Sequence, residues 1–408
     1  GMGIFALLQS IGNLGVTFSH LGLKHSAVLY LAKENDSKNE NSAIVSLKII
    51  LIMATIFATI ISLTVILISK KISMIAFGND SHSMAICLIS GFIFTTTISQ
   101  IIISGLNGMR DIKLMAICQI LSSIVGGVSS CIGIIIWGEK GIALAFLLMG
   151  ISSFFITIAA VHKLLLTKTF INLSMFLSKF KQILMIGIAI LSGDVFFHLF
   201  SYFSKIYINN NLGIEKVGLY QACWAISNLY IGMILSAMGA DFLPRIMGYA
   251  SDKQKMCRSI NEQIELGLVF SLPGVVLTMI FAPHILRLLY SKAFESAAFI
   301  IRWQIVGIVL RIMAWPLSYA IIACNKKNIF ALMQGIFYIT QYVLLIVCVK
   351  IGGINGLGPQ FVFAYLVYLF GMALFCYHEL NYIPSQKTMK LLSYITGFVI
   401  IVIGTVLY

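Results

Sequence analysis

Charge is what this sequence has least of. Only 10% of its 408 residues are Asp, Glu, Lys or Arg, against about 25% in soluble domains. With 59% hydrophobic residues and a mean hydropathy of +0.98, a soluble core wrapped in a charged surface is excluded. Acids are scarcest: 14 Asp and Glu stand against 28 Lys and Arg, a net charge of +14. Proline occurs six times, so the apolar runs are seldom interrupted. The eight cysteines (Cys87, Cys118, Cys131, Cys223, Cys257, Cys324, Cys348 and Cys376) form no CxxC pair and have no histidine at metal spacing. Neither a disulfide framework nor a zinc site is indicated, and the cysteines read as small hydrophobes. There is no GxxxxGK[ST], HExxH, GxSxG or EF-hand loop, so no cofactor or metal is expected. No cleavable signal peptide is visible, because Gly1 opens directly into an apolar segment without a basic start.

What is present is long apolar runs. With about 20 residues per membrane crossing as the template, twelve segments are predicted: 3–31, 43–69, 84–105, 112–136, 142–161, 183–203, 217–239, 264–281, 299–323, 329–349, 357–376 and 389–407. The connections are short, which leaves no room for a separate catalytic domain. The stretch AKENDSKNENS at 32–42 reads as a solvated loop of mixed sign. Loops after odd-numbered segments, with the residues at their edges, carry 16 Lys and Arg, and those after even-numbered segments carry 8. The odd loops are therefore expected in the cytoplasm. The basic excess is thereby assigned to membrane orientation and not to nucleic acid.

An internal repeat organises these segments. A shift of 215 residues superposes Gly3 on Gly218, Asn13 on Asn228, Gln119 on Gln334, and the loop glycines Gly138 and Gly141 on Gly353 and Gly356. The first segment then matches the seventh, so a counterpart of the sixth is expected ahead of Gly1. The expected fold is an all-α polytopic membrane protein of two six-helix bundles related by a pseudo-two-fold axis along the membrane normal. On this reading its first helix is expected to lie ahead of this sequence, and one helix is expected to be added at the C-terminal end. The expected division is a first bundle at 1–162, a cytoplasmic linker at 163–181, a second bundle at 182–380 and an accessory helix at 381–408.

Few polar residues lie inside the segments. Arg302 sits three residues into its segment, where its stem can snorkel to the headgroups or its charge can reach a cavity. Arg311 lies twelve residues past Phe299, about 18 Å along a helix, too deep for easy snorkelling from either end. The two arginines are nine residues apart and so on opposite faces of a straight helix. Arg311 serves either an anion site or a structural pair with a buried acid. The acid well inside a segment is Asp194, with His198 one turn later on the same face. This pair could relay protons, or Asp194 could be the counter-ion of Arg311. His20 and Lys24 share a face in the first segment, and snorkelling suffices for Lys24 and Lys48. Lys205 stands at a cavity mouth or at the membrane interface. Pro273 and Pro316 are candidate points of flexure.

The stretches GMGIFALLQSIGNLG at the start, SGLNGMRDIKLMA at 104–116, VGLYQACWAISNLY at 217–230, FLPRI at 242–246, LLYSKAF at 288–294 and RWQIVGIVLRIMAWPLSYAIIA at 302–323 follow one another as in the Wzx-type O-antigen flippases, which this chain resembles. The resemblance implies a MATE-like core in the bacterial inner membrane that moves undecaprenyl-pyrophosphate-linked oligosaccharide between leaflets. It also implies membrane lipids, an O-antigen polymerase and a chain-length regulator as partners. It implies no enzymatic activity and a basic cavity in which Arg311, Lys205, Arg302 and Lys24 meet pyrophosphate. Some relatives have acids where this chain has Asn228 and Ile308, which leaves Asp194 and His198 as candidates for ion coupling. A small-molecule cation exporter of the same superfamily would need an acidic cavity, which Arg311 opposes. A polymerase would need a large periplasmic loop.

Overall fold

The computed structural model describes residues 1–36, 40–167, 173–249 and 252–407. Among them the chain forms fourteen α-helices, three short 3-10 turns and no strand. Backbone N–H and C=O groups within hydrocarbon find no water, so each segment satisfies them internally as helix. The helices are α1 (Met2–His20), α2 (Leu23–Asp36), α3 (Glu40–Leu67), α4 (Ser69–Phe77), α5 (Ser83–Gly108), α6 (Ile112–Trp137), α7 (Gly141–Leu166) and α8 (Leu173–Leu212). They continue as α9 (Ile214–Gly248), α10 (Lys253–Leu289), α11 (Ala298–Ala323), α12 (Lys327–Gly352), α13 (Leu357–Leu380) and α14 (Gln386–Leu407). Among the described residues, seven stretches are long and apolar enough to cross a membrane, and two of these, Ile112–Leu166 and Asn328–Leu380, fold back as helix pairs.

The contacts divide the chain into Gly1–Ile214 and Glu215–Tyr408. The boundary expected at 163–181 therefore falls inside the first unit. Residues 168–172 of that linker lie outside the described residues, but α8 begins at Leu173 and packs on α1 and α2. The first bundle thus includes α8. Residues 381–408 were expected to add a helix, and α14 is that helix, packed on α10. The loop expected at 32–42 is shorter than its composition suggested, because α2 reaches Asp36 and α3 starts at Glu40. Its residues 37–39 lie outside the described residues. Glu34 accepts from Lys179 Nζ at 2.7 Å.

Within each unit one arrangement recurs. α6 and α7 form a hairpin whose second helix packs on α5, and α12 and α13 form one whose second helix packs on α11. The hairpin turns begin at Gly138 (φ 57°, ψ −135°) and Gly353 (φ 56°, ψ −135°), 215 residues apart. That backbone conformation is accessible essentially to glycine alone, so the two glycines of the repeat hold the same turn.

Three local departures from straight helix matter for function. The predicted segment 3–31 is broken at Leu21 (φ 42°) and Gly22 (φ 78°). A Cβ on Gly22 would overlap the carbonyl of Gly187 on α8, so this corner exists because two glycines meet backbone to backbone. In α10 the residue with non-helical dihedrals is Phe281 (φ −96°, ψ 16°), two positions before Pro283. The flexure expected at Pro273 takes another form. Tyr230 of α9 donates its hydroxyl proton to the Phe270 carbonyl at 2.9 Å and accepts from Gly274 N–H at 3.2 Å. The phenol oxygen thus sits inside one rung of the α10 ladder, a recognised cause of helix bending. α11 continues through the buried Pro316 to Ala323.

Candidate functional site

In the second unit the site is built on α11. Gln304 and Arg311 are seven residues apart, two turns, and so share a face. That face meets α9: Ser227 Oγ donates to Gln304 Oε1 at 3.1 Å, and Arg311 Nη1 donates to Asn228 Oδ1 at 2.7 Å. Gln304 is fully buried and its Nε2 has no acceptor among the described residues. The Arg311 charge is also within electrostatic reach of Tyr365 and Tyr368 on α13. Among the described residues no carboxylate pairs with Arg311. A neutral amide accepts one hydrogen bond and leaves the guanidinium its full charge and its remaining donors. An acid at position 228 would have neutralised it.

Arg302 faces the other way, as its nine-residue offset requires. Its Nε donates to the Met279 carbonyl of α10 at 3.0 Å. In a regular helix that carbonyl would accept from residue 283, which is proline and has no N–H. Arg302 therefore satisfies an acceptor orphaned by Pro283. It does not join Arg311.

In the first unit the corner at Gly22 gathers the charged residues. Ser26 Oγ donates to the Ile183 carbonyl at 2.7 Å, tying α2 to α8. About three turns further along α8, His25 Nε2 donates to Asp194 Oδ2 at 3.0 Å. His20, Lys24 and His198 are within electrostatic reach of the same carboxylate. Gly22 N–H donates to His20 Nδ1 at 3.2 Å. Lys24 and His25 line a cavity of about 540 Å³ together with Ser104, Asn107 and Gln119. Its wall mixes Val28, Leu29, Ile103 and Met115 with one ammonium, one imidazole, two amides and a hydroxyl, and these polar groups suit a phosphate or a hydroxyl-rich ligand. Among the described residues no three His, Cys, Asp or Glu side chains converge as metal ligands.

A model of polysaccharide biosynthesis proteins matches residues 2–299. The chain belongs to that family. It is 23% identical over 389 residues to the lipid III flippase of Escherichia coli K12, covering 90% of this chain and 88% of that protein. In fold it is similar to an inward-facing multidrug resistance MATE transporter of the MOP superfamily, with a TM-score of 0.74 at 16% identity and 93% of both chains covered. It is also similar to a lipid II flippase in an inward closed conformation, with a TM-score of 0.60 at 14% identity, covering 96% of this chain and 88% of that one. The resemblance to Wzx-type flippases and the all-α, MATE-like membrane fold expected from sequence both hold.

Within this family member the individual site residues fare unevenly. Arg311 stands among polar partners on a buried face, and Lys24 lines a polar cavity. Asp194 does not hydrogen-bond His198, whose ring instead packs edge-on against Phe197 at 4.9 Å between centroids. Its partner is His25, which the i, i+4 reasoning could not find because it comes from another helix. Lys205 stands at no cavity mouth: it is 4% exposed and donates to the Ala6 carbonyl of α1 at 3.1 Å. Lys48 Nζ donates to the Thr167 carbonyl at 2.6 Å. Asn228 was noted from sequence as the repeat counterpart of Asn13 and as a missing acid, while Gln304, Ser227 and Tyr230 were not singled out. Buried glutamine in an apolar segment is the clue that was available, since such an amide needs a partner.

Proposed function

We propose that this protein is a flippase that carries undecaprenyl-pyrophosphate-linked O-antigen oligosaccharide from the cytoplasmic to the periplasmic leaflet of the bacterial inner membrane by alternating access. The observation that carries this reading is Arg311: a guanidinium some 18 Å into a membrane helix, hydrogen-bonded to neutral Asn228 at 2.7 Å and with no carboxylate partner among the described residues. A lone charge at such depth is costly, with translocon scales giving about 2.5–3.5 kcal/mol. A diphosphate supplies the missing negative charge, and a planar guanidinium binds its oxygens bidentately. Lys24, in its polar cavity with Ser104, Asn107 and Gln119, offers a second cation for phosphate and amides for sugar hydroxyls. The family match and the named activity of the lipid III flippase relative support the same reading. Asp194 with His25 is the coupling group we assign, in place of Asp194 with His198.

The test is complementation of a flippase-deficient strain, read as lipopolysaccharide ladders. Wild type restores the ladder, Arg311→Ala abolishes it and Arg311→Lys restores it in part, because an ammonium keeps the charge but loses bidentate geometry. A full ladder from Arg311→Ala removes Arg311 from the mechanism. In a pH-gradient transport assay Asp194→Asn loses proton dependence. An unchanged dependence clears Asp194 of coupling.

A further inference from the structure

The second unit contains a groove that the flippase reading does not use. It runs between α9 and α10, has a volume of about 610 Å³ and is walled by Met233, Ile234, Met238, Leu266 and Phe270. That volume lies within the roughly 300–1,000 Å³ usual for small-molecule sites. Tyr230 closes one end, with its hydroxyl already committed to the α10 backbone. Arg245 marks the other. The FLPRI segment sets its direction: Phe242 is fully buried against Trp315 and Tyr319 of α11, which leaves Arg245 on the α10 side. There its Nη2 donates to Gln263 Oε1 at 3.0 Å.

The guanidinium is under-satisfied. Of its five N–H donors one is committed to Gln263, and Nε is buried with no acceptor among the described residues. Asp241 also lines the groove, 3.6 Å from Arg245, and with its side chain 78% exposed it pairs only weakly. An apolar trough ending at a cation with spare donors is complementary to a ligand with a hydrocarbon tail and an acceptor-only anionic head. Arg245 and Tyr230 are fifteen residues apart, about 22 Å along α9. A lipid of one leaflet spans about half of the 40–45 Å bilayer thickness that includes the headgroups, roughly 20–22 Å, so its phosphate and tail match the two ends of the groove.

We propose that the groove between α9 and α10 is a binding site for an anionic phospholipid of the surrounding membrane, its phosphate on Arg245 and Gln263 and one acyl chain along Met238 and Phe270. The proposal is independent of the cargo assigned above. It is tested on the full chain, purified in a non-ionic detergent, by native mass spectrometry with phosphatidylglycerol and phosphatidylcholine of identical acyl chains. Wild type retains phosphatidylglycerol in preference. Arg245→Gln lowers that preference about fivefold, the share expected of one basic residue facing anionic lipid. Arg245→Lys keeps most of it, and Met238→Trp, which fills the trough, lowers retention of both lipids. An unchanged preference in Arg245→Gln, or wild-type retention in Met238→Trp, overturns the proposal. So does a loss in Arg245→Gln that Arg245→Lys fails to recover, because Arg245 then acts only as a strut to Gln263. Preferential retention of a polyprenyl phosphate over phosphatidylglycerol gives the groove to the cargo and overturns it as well.

Discussion

Substituting alanine for Gly22 separates two effects that the corner between α1 and α2 combines. Gly22 holds φ 78°, and a Cβ there would overlap the Gly187 backbone. Gly78, after α4, holds φ 77° with nothing within 4 Å of a Cβ. Alanine at Gly78 therefore meets only the cost of a left-handed backbone, about 1–2 kcal/mol. Alanine at Gly22 meets that cost and also an overpacking cost of about 1–3 kcal/mol, a total of about 2–5 kcal/mol. Because the corner seats Ser26 on Ile183 and His25 on Asp194, Gly22→Ala should also displace the polar cluster. The assay is reversible unfolding of the purified protein for both variants, with the lipopolysaccharide ladder as functional readout. Gly78→Ala keeps the ladder and is mildly destabilised, whereas Gly22→Ala is destabilised more and loses the ladder. Equal destabilisation of the two, with both ladders intact, refutes the claim that close approach to α8 builds the site.

Asn228→Leu removes the amide that accepts from Arg311. A hydrogen bond to a charged group contributes about 1.5–3 kcal/mol, so unfolding measurements should show a loss of that size, and a wild-type value contradicts the pairing. Arg302→Leu leaves the Met279 carbonyl unsatisfied, at about 1–3 kcal/mol. Pro283→Ala supplies the missing N–H, so in a double-mutant cycle Pro283→Ala should suppress the effect of Arg302→Leu, and strict additivity speaks against the cap. Tyr230→Phe empties the α10 rung between Phe270 and Gly274, and hydrogen exchange at Gly274 should accelerate if the phenol oxygen holds that amide. Asp252 caps α10 by accepting from Lys255 N–H at 3.0 Å. That backbone bond, with the Lys255 ammonium, holds its carboxyl below the usual range. A depressed folded pKa stabilises above the unfolded value and is lost as pH falls through the folded one. Asp252→Asn should therefore flatten the acid limb of the stability profile, and an unaltered limb removes Asp252 from it.

Much of the architecture was legible because the bilayer imposes it residue by residue. Every crossing must be a helix of about 20 apolar residues, so the segment list matched the helices to within a few residues at most ends. The glycines at 138 and 353 announced a repeated turn because only glycine takes that backbone. Depth along a helix is likewise local arithmetic. It marked Arg311 as a charge unable to snorkel and placed Arg302 on the opposite face, where it was found. The corner at Gly22 was not legible: one glycine in an apolar run carries no mark of the backbone it will meet on α8.

The sequence by itself determined that the chain is a bundle of membrane helices with a repeated hairpin and a deep arginine, because helix period, hydrocarbon thickness and the cost of buried charge act on each segment alone. Only the tertiary structure decided which groups meet. Asp194 turned to His25 and not to His198, Lys205 was buried on the Ala6 carbonyl, Arg302 went to the acceptor that Pro283 had orphaned, and Arg311 met an amide. Partners on different helices are set by where two helices cross, and that depends on small residues far apart in the chain, as Gly22 and Gly187 are.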